Sequence, residues 1–490
     1  MQTKNCFKDS RLAFTICLIA FLVWIYLLSY KYFHLGYYDW DLAFFTQACW
    51  QLLHGTQFVP LVGINYFGDH SYFITFLILP LFALFPHPLT LVVLKLIAYL
   101  ISAYLLYKIA TETLGQKVAL TLMVLYIIFP ANIFSMLYEF NPEAFAPPIL
   151  LWMFMAFEKH RWKSFFVAAI LLMLIKENMA LVVCAFGIYA FFCKNCPRKI
   201  AGGILLLGAV VFYILTICII PYFRHLPYHP FVVRYEYLGH SVVGILLHLM
   251  IRPAIVATAI FNHVNALYIR DLFGALLVPA LIGYHRLFFM IPILLQHLLS
   301  THYPEHTIYY FYGATIVPFI FLATVDALDH CYQRFNRTVC RGILILLVLV
   351  SVWDWRHYTQ QFALRLDYHA DHLDALRWTF VNTVPAQAGV IVTFDYLAPL
   401  SLRKDLYSFH KIYGDDYQNL QKMEWSELNT NKPFTLPSQV HYALIDFRDP
   451  YIQKSLRLKS QVTMRRIKAF LNSSHWKVLK HYGSIILLER

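Results

Sequence analysis

Between Leu12 and Tyr30 the chain runs through nineteen residues without a charged side chain, about the length a helix needs to cross a hydrocarbon core of about 30 Å. A run that is apolar on every face finds its solvent in lipid. It follows a short basic stretch (Lys4, Lys8, Arg11) and lacks a small-residue cleavage site, so it reads as a retained anchor and not as a signal peptide. Runs of the same kind recur. Of 490 residues 59% are hydrophobic and 14% charged, where a soluble globular chain carries roughly 25% charged residues. The expectation is a polytopic α-helical membrane protein, long enough for about ten spans and one soluble domain.

Spans are expected near 12–30, 88–110, 118–137, 143–158, 164–176, 179–193, 200–221, 271–285, 286–300, 311–328 and 341–353. The net charge of +13 does not mark a nucleic-acid binder, because Lys and Arg recur in short clusters between the apolar runs. Examples are Lys108/Lys117, Lys159/Arg161/Lys163, Lys194/Arg198/Lys199 and Arg334/Arg337/Arg341. Placing each cluster on the cytoplasmic face satisfies the positive-inside rule with alternating spans. The N-terminus is then cytoplasmic, and eleven spans leave the C-terminal part outside the inner (plasma) membrane. Of nine cysteines only Cys49 falls on that outer side, so no structural disulfide is expected there. Cys193-x-x-Cys196 reads as two ordinary thiols, since zinc takes four ligands.

The division is into a transmembrane part, 1–353, and a small extracytoplasmic α/β domain, 354–490. Within the first, residues 38–87 form an outer loop with helices lying along or dipping into the membrane face. Leu42, Phe45, Cys49 and Leu52 fall at helical spacing before Gly55, a C-terminal stop. Tyr72 to Phe85 is apolar with Pro80 inside it. Past Asp354 the apolar runs shorten and charges mix. Leu373 to Val381 reads as an amphipathic helix, 389–394 and 440–445 as buried strands, 461–471 as a helix, and 477–481 and 484–488 as terminal strands.

Polar residues that interrupt the apolar pattern collect on the proposed outer face. They are Asp39/Asp41, Asp69-His70, Glu139 to Glu143, Lys176-Glu177-Asn178, Arg234/Glu236 and His302 to His306. Ionisable groups at membrane depth are expensive and usually face a cavity, and several converging from separate loops suggest a site. Each has a plainer reading. Asp39 or Asp41 serves equally as the cap of the helix starting at Leu42. Lys176-Glu177 serves as a neutralised pair in a tight turn. Pro142 breaks the helical spacing of Glu139 and Glu143, and Pro304 does the same for His302 and His306, which lack a third metal ligand.

At these residues the chain resembles a family of bacterial membrane proteins, domain of unknown function 2079. The matching segments are Tyr38 to Gln47, Gly68-Asp69-His70-Ser71, Phe140 to Ala144, Leu174 to Asn178, Tyr310-Phe311-Tyr312-Gly313 running to Pro318-Phe319, Val384-Pro385-Ala386, and Leu400 to Tyr407. The family pattern His-Pro-Glu stands here as Asn141-Pro142-Glu143, and Lys-Glu-Asp as Lys176-Glu177-Asn178. That family is similar in turn to the GT-C glycosyltransferases, whose first outer loop carries an essential acidic residue. The resemblance implies an inverting transfer of sugar from a polyprenyl-phosphate donor to an acceptor (lipid, glycan or protein) on the outer face, amid membrane lipids and without nucleic acid.

In that reading Asp39 is the base and Asp41 its partner or a metal ligand. Oxygen ligands from Asp41 and Asp69 suit Mg²⁺ or Mn²⁺. His70, Lys176 and Arg234 contact phosphate, Glu143 and Glu177 orient them, and Trp40, Tyr38 and Tyr310 stack on sugar or isoprenoid. Two rivals share the architecture. One is a non-catalytic membrane protein handling lipid-linked sugars or envelope polymers, which would tolerate loss of either aspartate. The other is an ion-coupled transporter, which calls for acids near the bilayer midplane and not at one face.

Overall fold

The computed structural model describes residues 2–367, 369, 371–409, 436–449, 452, 461, 464–465, 467–472 and 475–490. Among these, five helices are long and apolar enough to cross a membrane: Arg11–Phe33, Pro88–Leu114, Arg198–Arg224, His263–Ile282 and Thr338–His357. Two bent pairs raise the number to seven if each is one span. The difference from eleven has local causes. Trp162–Met173 and Met179–Phe192 are 12 and 14 residues long, about 18 and 21 Å at 1.5 Å per residue. The span expected at 286–300 is a 3-10 turn, Tyr284–Met290, followed by the nine-residue helix Ile291–Leu299.

Where no span was expected, Val242–Ile251 and Pro253–Ile260 meet at 97°. Pro253 explains the corner, because it cannot donate to the preceding turn and suits the first position of a new helix. Proline also shapes the span Arg198–Arg224. Its residues Ile214–Ile219 widen into a π-helix just before Pro221, where the ring removes one backbone donor.

The chain divides into two compact units. The first comprises Met1–Leu27, His70–Thr75 and Val93–Arg365. In it Lys95, 1% exposed, points its ammonium at the C-terminal end of helix Pro130–Leu137. It donates to the carbonyls of Met136 (2.7 Å), Tyr138 (2.6 Å), Glu139 (3.2 Å) and Ser135 (3.4 Å). Those carbonyls have no intrahelical partner and carry the negative end of the helix dipole.

The second unit comprises Leu28–Asp69, Phe76–Val92 and Leu366–Arg490, so residues on both sides of the expected boundary at 354 contribute to it. Strands β1 (Phe58–Val59) and β2 (Ile64–Asn65) make a small antiparallel pair. Five further strands, β3 (Gly389–Val392), β4 (Leu406–Ser408), β5 (Val440–Asp446), β6 (Lys477–Tyr482) and β7 (Ile485–Glu489), form one sheet in the order β4-β3-β5-β7-β6. β4, β3 and β5 run parallel, while β7 and β6 add an antiparallel edge. The β6–β7 turn places Gly483 at φ +57°, a conformation that favours glycine. The three-residue β4 is too short to show a sequence period, and the helix expected at 461–471 lies partly outside the described residues.

Helix Asp41–Leu53 ends in a Schellman motif. Thr56 N donates to Gln51 O (3.0 Å) and Gly55 N to Leu52 O (3.2 Å), with Gly55 at φ +77°. Its buried face is tied to the segment before β4, where Gln47 Nε2 donates to Lys404 O (3.0 Å) and Gln51 Nε2 to the same oxygen (2.8 Å). Two of the family-like segments, one near each end of the chain, thus meet through glutamine amides.

Candidate functional site

The first unit contains a half-open cavity of about 400 Å³. Its polar groups come from five short irregular segments. The turn between helices Trp162–Met173 and Met179–Phe192 supplies Lys176, Glu177 and Asn178. It is fastened to the segment 70–75 by Ile74 N donating to Leu174 O (2.7 Å). Glu143 sits in the 3-10 turn Pro142–Phe145, which Asn141 caps by accepting the Glu143 N–H at 3.0 Å. Pro142, which breaks the helical spacing from Glu139, therefore helps to aim Glu143. His229 caps the turn Pro230–Tyr235 and Arg234 lies within it, while Glu305 comes from the turn Tyr303–His306.

The charges are paired. Lys176 Nζ lies 2.5 Å from Glu143 Oε1, and Arg234 forms an ion pair with Glu305. Glu177 Oε1 meets His70 Nδ1 at 2.7 Å and His229 Nε2 at 3.6 Å, while Oε2 accepts from Ser71 N (3.3 Å) and Ser71 Oγ (3.4 Å). Phe231 is the common floor. The His70 ring stacks on it at 4.3 Å and the Arg234 guanidinium lies 4.4 Å from its centroid.

Burial alone would raise the Glu177 carboxyl, but His70 and His229 facing it hold it well below the usual range. Glu305 is lowered in the same sense, burial being outweighed by Arg234 and then His297. Burial, reinforced by Arg234, pushes His302 down to about 3, so its ring is neutral at physiological pH. The lining also includes the apolar side chains of Leu181, Phe212, Ile245, Leu249, Pro292 and Leu295. Phe212 and Thr216 reach the cavity at the entry to the π-helix.

Five of the expected site residues, His70, Glu143, Lys176, Glu177 and Arg234, line this one cavity. Tyr310 is not in its lining; it packs against Tyr138 at 5.4 Å, and its carbonyl accepts from Ser135 Oγ at 3.2 Å. Asp39, Trp40, Asp41 and Asp69 belong to the second unit. There Trp40 occupies the N-cap of helix Asp41–Leu53, and Asp41 is its first residue, where negative charge complements the dipole. Asp39 Oδ1 accepts the Trp40 N–H at 2.9 Å, and Trp40 stacks on Phe394 at 6.2 Å. Asp69 is buried behind the turn Tyr66–Gly68.

Among the described residues no group of three or more His, Cys, Asp or Glu side chains is placed to hold a metal ion, so Asp41 and Asp69 belong to no such set. His306 engages protein oxygens with both ring nitrogens, Asn265 Oδ1 and Ser300 O, each at 2.7 Å. Sequence reasoning missed His229, Gln296 and His297 in the lining. The one available signal was His229-Pro230, since a hydrogen-bonding side chain before proline marks a capped turn.

No curated protein matches the chain. Solved structures similar to it include ArnT from Cupriavidus metallidurans in the apo state, with 11% identity, a TM-score of 0.51 and 97% of both chains covered. The same ArnT bound to undecaprenyl phosphate gives 12%, 0.50 and again 97% of both chains. The Archaeoglobus fulgidus oligosaccharyltransferase in complex with Zn and sulfate shows 13% identity and a TM-score of 0.43 over 87% of this chain and 68% of that one. The likeness to ArnT is one of fold. A family model described as "Predicted membrane protein (DUF2079)" matches residues 31–450, and the chain belongs to that family.

Proposed function

We propose that this protein is an inverting membrane glycosyltransferase that takes a sugar from a polyprenyl-phosphate donor and transfers it to an acceptor at the outer face of the inner membrane. The observation that carries the reading is the cavity, whose lining combines apolar side chains with paired charges, the two kinds of contact that a lipid with a polar headgroup calls for. Isoprenoid units fit the wall of Leu181, Ile245, Leu249 and Leu295, where burial is worth about 25 cal/mol per Å². Lys176 has three ammonium protons and Glu143 engages one, which leaves N–H groups for a phosphate oxygen. Developing charge on the leaving phosphate is stabilised by Lys176 and Arg234, and Glu143 and Glu305 hold those cations in place.

Acceptor activation is assigned to Asp39, with Asp41 beside it in the chain. A carboxylate of this kind can take the proton of an acceptor hydroxyl as the new glycosidic bond forms.

A deletion strain complemented with wild type, Asp39→Asn, Asp41→Asn or Lys176→Met tests the reading by mass spectrometry of lipid-linked sugars and surface glycans. Wild type restores the glycan. The aspartate variants insert normally but fail to restore it, and Lys176→Met lowers transfer by roughly 10²-fold. An unchanged profile in the deletion strain overturns the enzymatic reading. Full restoration by both aspartate variants overturns the assignment of the base.

A further inference from the structure

We infer that the bent helix pair Val242–Ile251 and Pro253–Ile260 is seated in one leaflet of the bilayer, where it walls the cavity off from lipid and lets a tail too long for the cavity run out beside it. The seating stands on its own, and the route of the tail rests on the lipid reading above. The spans on either side of the pair, Arg198–Arg224 and His263–Ile282, have their far ends at one face. Tyr189, in the last turn of the helix that leads to Arg198, meets Phe157 and Phe288, each at 6.1 Å. Arg286 Nη1, just past Ile282, reaches Glu158 Oε1 at 2.7 Å. Residues 225–262 therefore leave the opposite face and return to it, and the pair does not cross. Its halves of ten and eight residues measure about 15 and 12 Å at 1.5 Å per residue, against a hydrocarbon core of about 30 Å. They meet at 97°, so both cannot stand along the membrane normal.

In the first half Val242, Ile245, Leu246 and Leu249 line the cavity, at i, i+3, i+4 and i+7 on one helix face. Val243, Leu247, Met250 and Ile251 fall at i, i+4, i+7 and i+8 on another face and are exposed, Met250 by 80%. Phe261, just beyond the pair, is exposed by 85%. No residue of either half is buried among the described residues. A helix that is apolar on both faces needs apolar surroundings on both, and acyl chains supply them on the face away from the cavity. Arg252, at the corner, is exposed, and no acidic residue occurs from 237 to 270. A charge in hydrocarbon is costly and an arginine stem snorkels, which sets the corner at the level of the lipid phosphates, whose charge it complements. The cavity, at about 400 Å³, is near the small end of the roughly 300–1,000 Å³ of ligand pockets. It takes the first units of a polyprenyl phosphate, and the remainder of the tail has to lie in lipid. Helix Val242–Ile251 has the cavity on one face and lipid on another, so a tail leaving past it stays out of water.

Photo-crosslinking tests both parts in the full-length protein, held in nanodiscs of phosphatidylethanolamine and phosphatidylglycerol. The photoreactive residue p-benzoylphenylalanine replaces Met250, Phe261 or, as a reference exposed within the span Thr338–His357, Leu349. Adducts are identified by mass spectrometry after irradiation. The Met250 and Phe261 positions should give phospholipid adducts at a yield within about threefold of the Leu349 position. A yield at least tenfold lower at both overturns the seating. With a long-chain polyprenyl phosphate added, its adduct at the Met250 position should fall at least fivefold when excess farnesyl phosphate fills the cavity, while its adduct at the Leu349 position stays within about twofold. An adduct at the Met250 position that persists, although wild type binds farnesyl phosphate, overturns the route and leaves the lipid-phosphate reading standing. Wild type that binds neither lipid overturns both the route and that reading, and the phospholipid adducts still decide the seating.

Discussion

Both units bury charge, and they do it in opposite ways. In the cavity Lys176 meets Glu143 and Arg234 meets Glu305, beside an open space. In the second unit a single guanidinium is shared by several acids in a closed setting. Arg377, 1% exposed, makes a two-pronged contact with Asp371 (2.8 Å at each oxygen), reaches Asp374 Oδ1 at 3.2 Å and lies 3.8 Å from Asp446 Oδ2. Asp371 and Asp446 are held in turn by Arg448. Redundant pairing around one cation suits a strut that joins the segment before helix Asp374–Val381 to the end of β5. A pairing that engages one of the three Lys176 N–H groups suits a surface that will meet a ligand.

The largest effect is expected where that sharing is broken. Arg377→Met would leave Asp371, Asp374 and Asp446 facing one another without their common partner. Arg448 still holds Asp371 and Asp446, and His34 still holds Asp374, so the cost is about 3 kcal/mol, the lower end of what breaking a buried pair costs. Thermal unfolding of the purified protein, followed by proteolysis of the C-terminal segment, should show a clear loss of stability. A change below about 1 kcal/mol would mean that the cluster behaves as a surface network.

A smaller loss, about 2–3 kcal/mol for a charge-assisted cap, is expected for Lys95→Met in the first unit. The substitution leaves four carbonyls at the end of helix Pro130–Leu137 without their ammonium. It should also loosen the segment that leads through Asn141 to Glu143. Hydrogen exchange at residues 138–145 is the sharper readout, and protection equal to wild type would show that the turn stands without its cap.

Lys95 also marks where the sequence stopped being legible. Long uninterrupted runs such as 12–30 and 88–110 announce themselves, and so do polar residues grouped in short loops, which is why Lys176-Glu177 and Glu143 stand out. A lone lysine inside an apolar helix carries the same signal of functional or structural necessity, yet its meaning depends on carbonyls about forty residues away in the chain. The pair Val242–Ile251 and Pro253–Ile260 escaped for another reason: each half is too short to span, and Arg252-Pro253 divides the apolar run at the corner itself. His229 meets Glu177 only through the fold, about fifty residues away in the chain, and no pattern in neighbouring residues announces that contact.

The smallest expected effect has the opposite sign, and it sharpens the contrast between strut and ligand surface. Asp395, 2% exposed, follows β3, and its Oδ1 has no hydrogen-bond partner among the described residues. Burial, and then the neighbouring Asp449 and Asp446, push its carboxyl well above the usual range. The folded protein therefore keeps this proton at a pH where the unfolded chain, with a carboxyl near about 3.9, has released it. Stability is lost as pH rises from that value toward the folded one and does not return above it. Asp395→Asn removes the penalty. The variant should match wild type near pH 4 and become more stable by about 1 kcal/mol or more at pH 7, since a tenfold difference in proton affinity between the folded and unfolded chain is worth about 1.4 kcal/mol. Denaturant unfolding at several pH values reads this directly. If the variant were instead destabilised at neutral pH, Asp395 would be an ionised partner in the cluster, and the second unit would hold its charges as the cavity does.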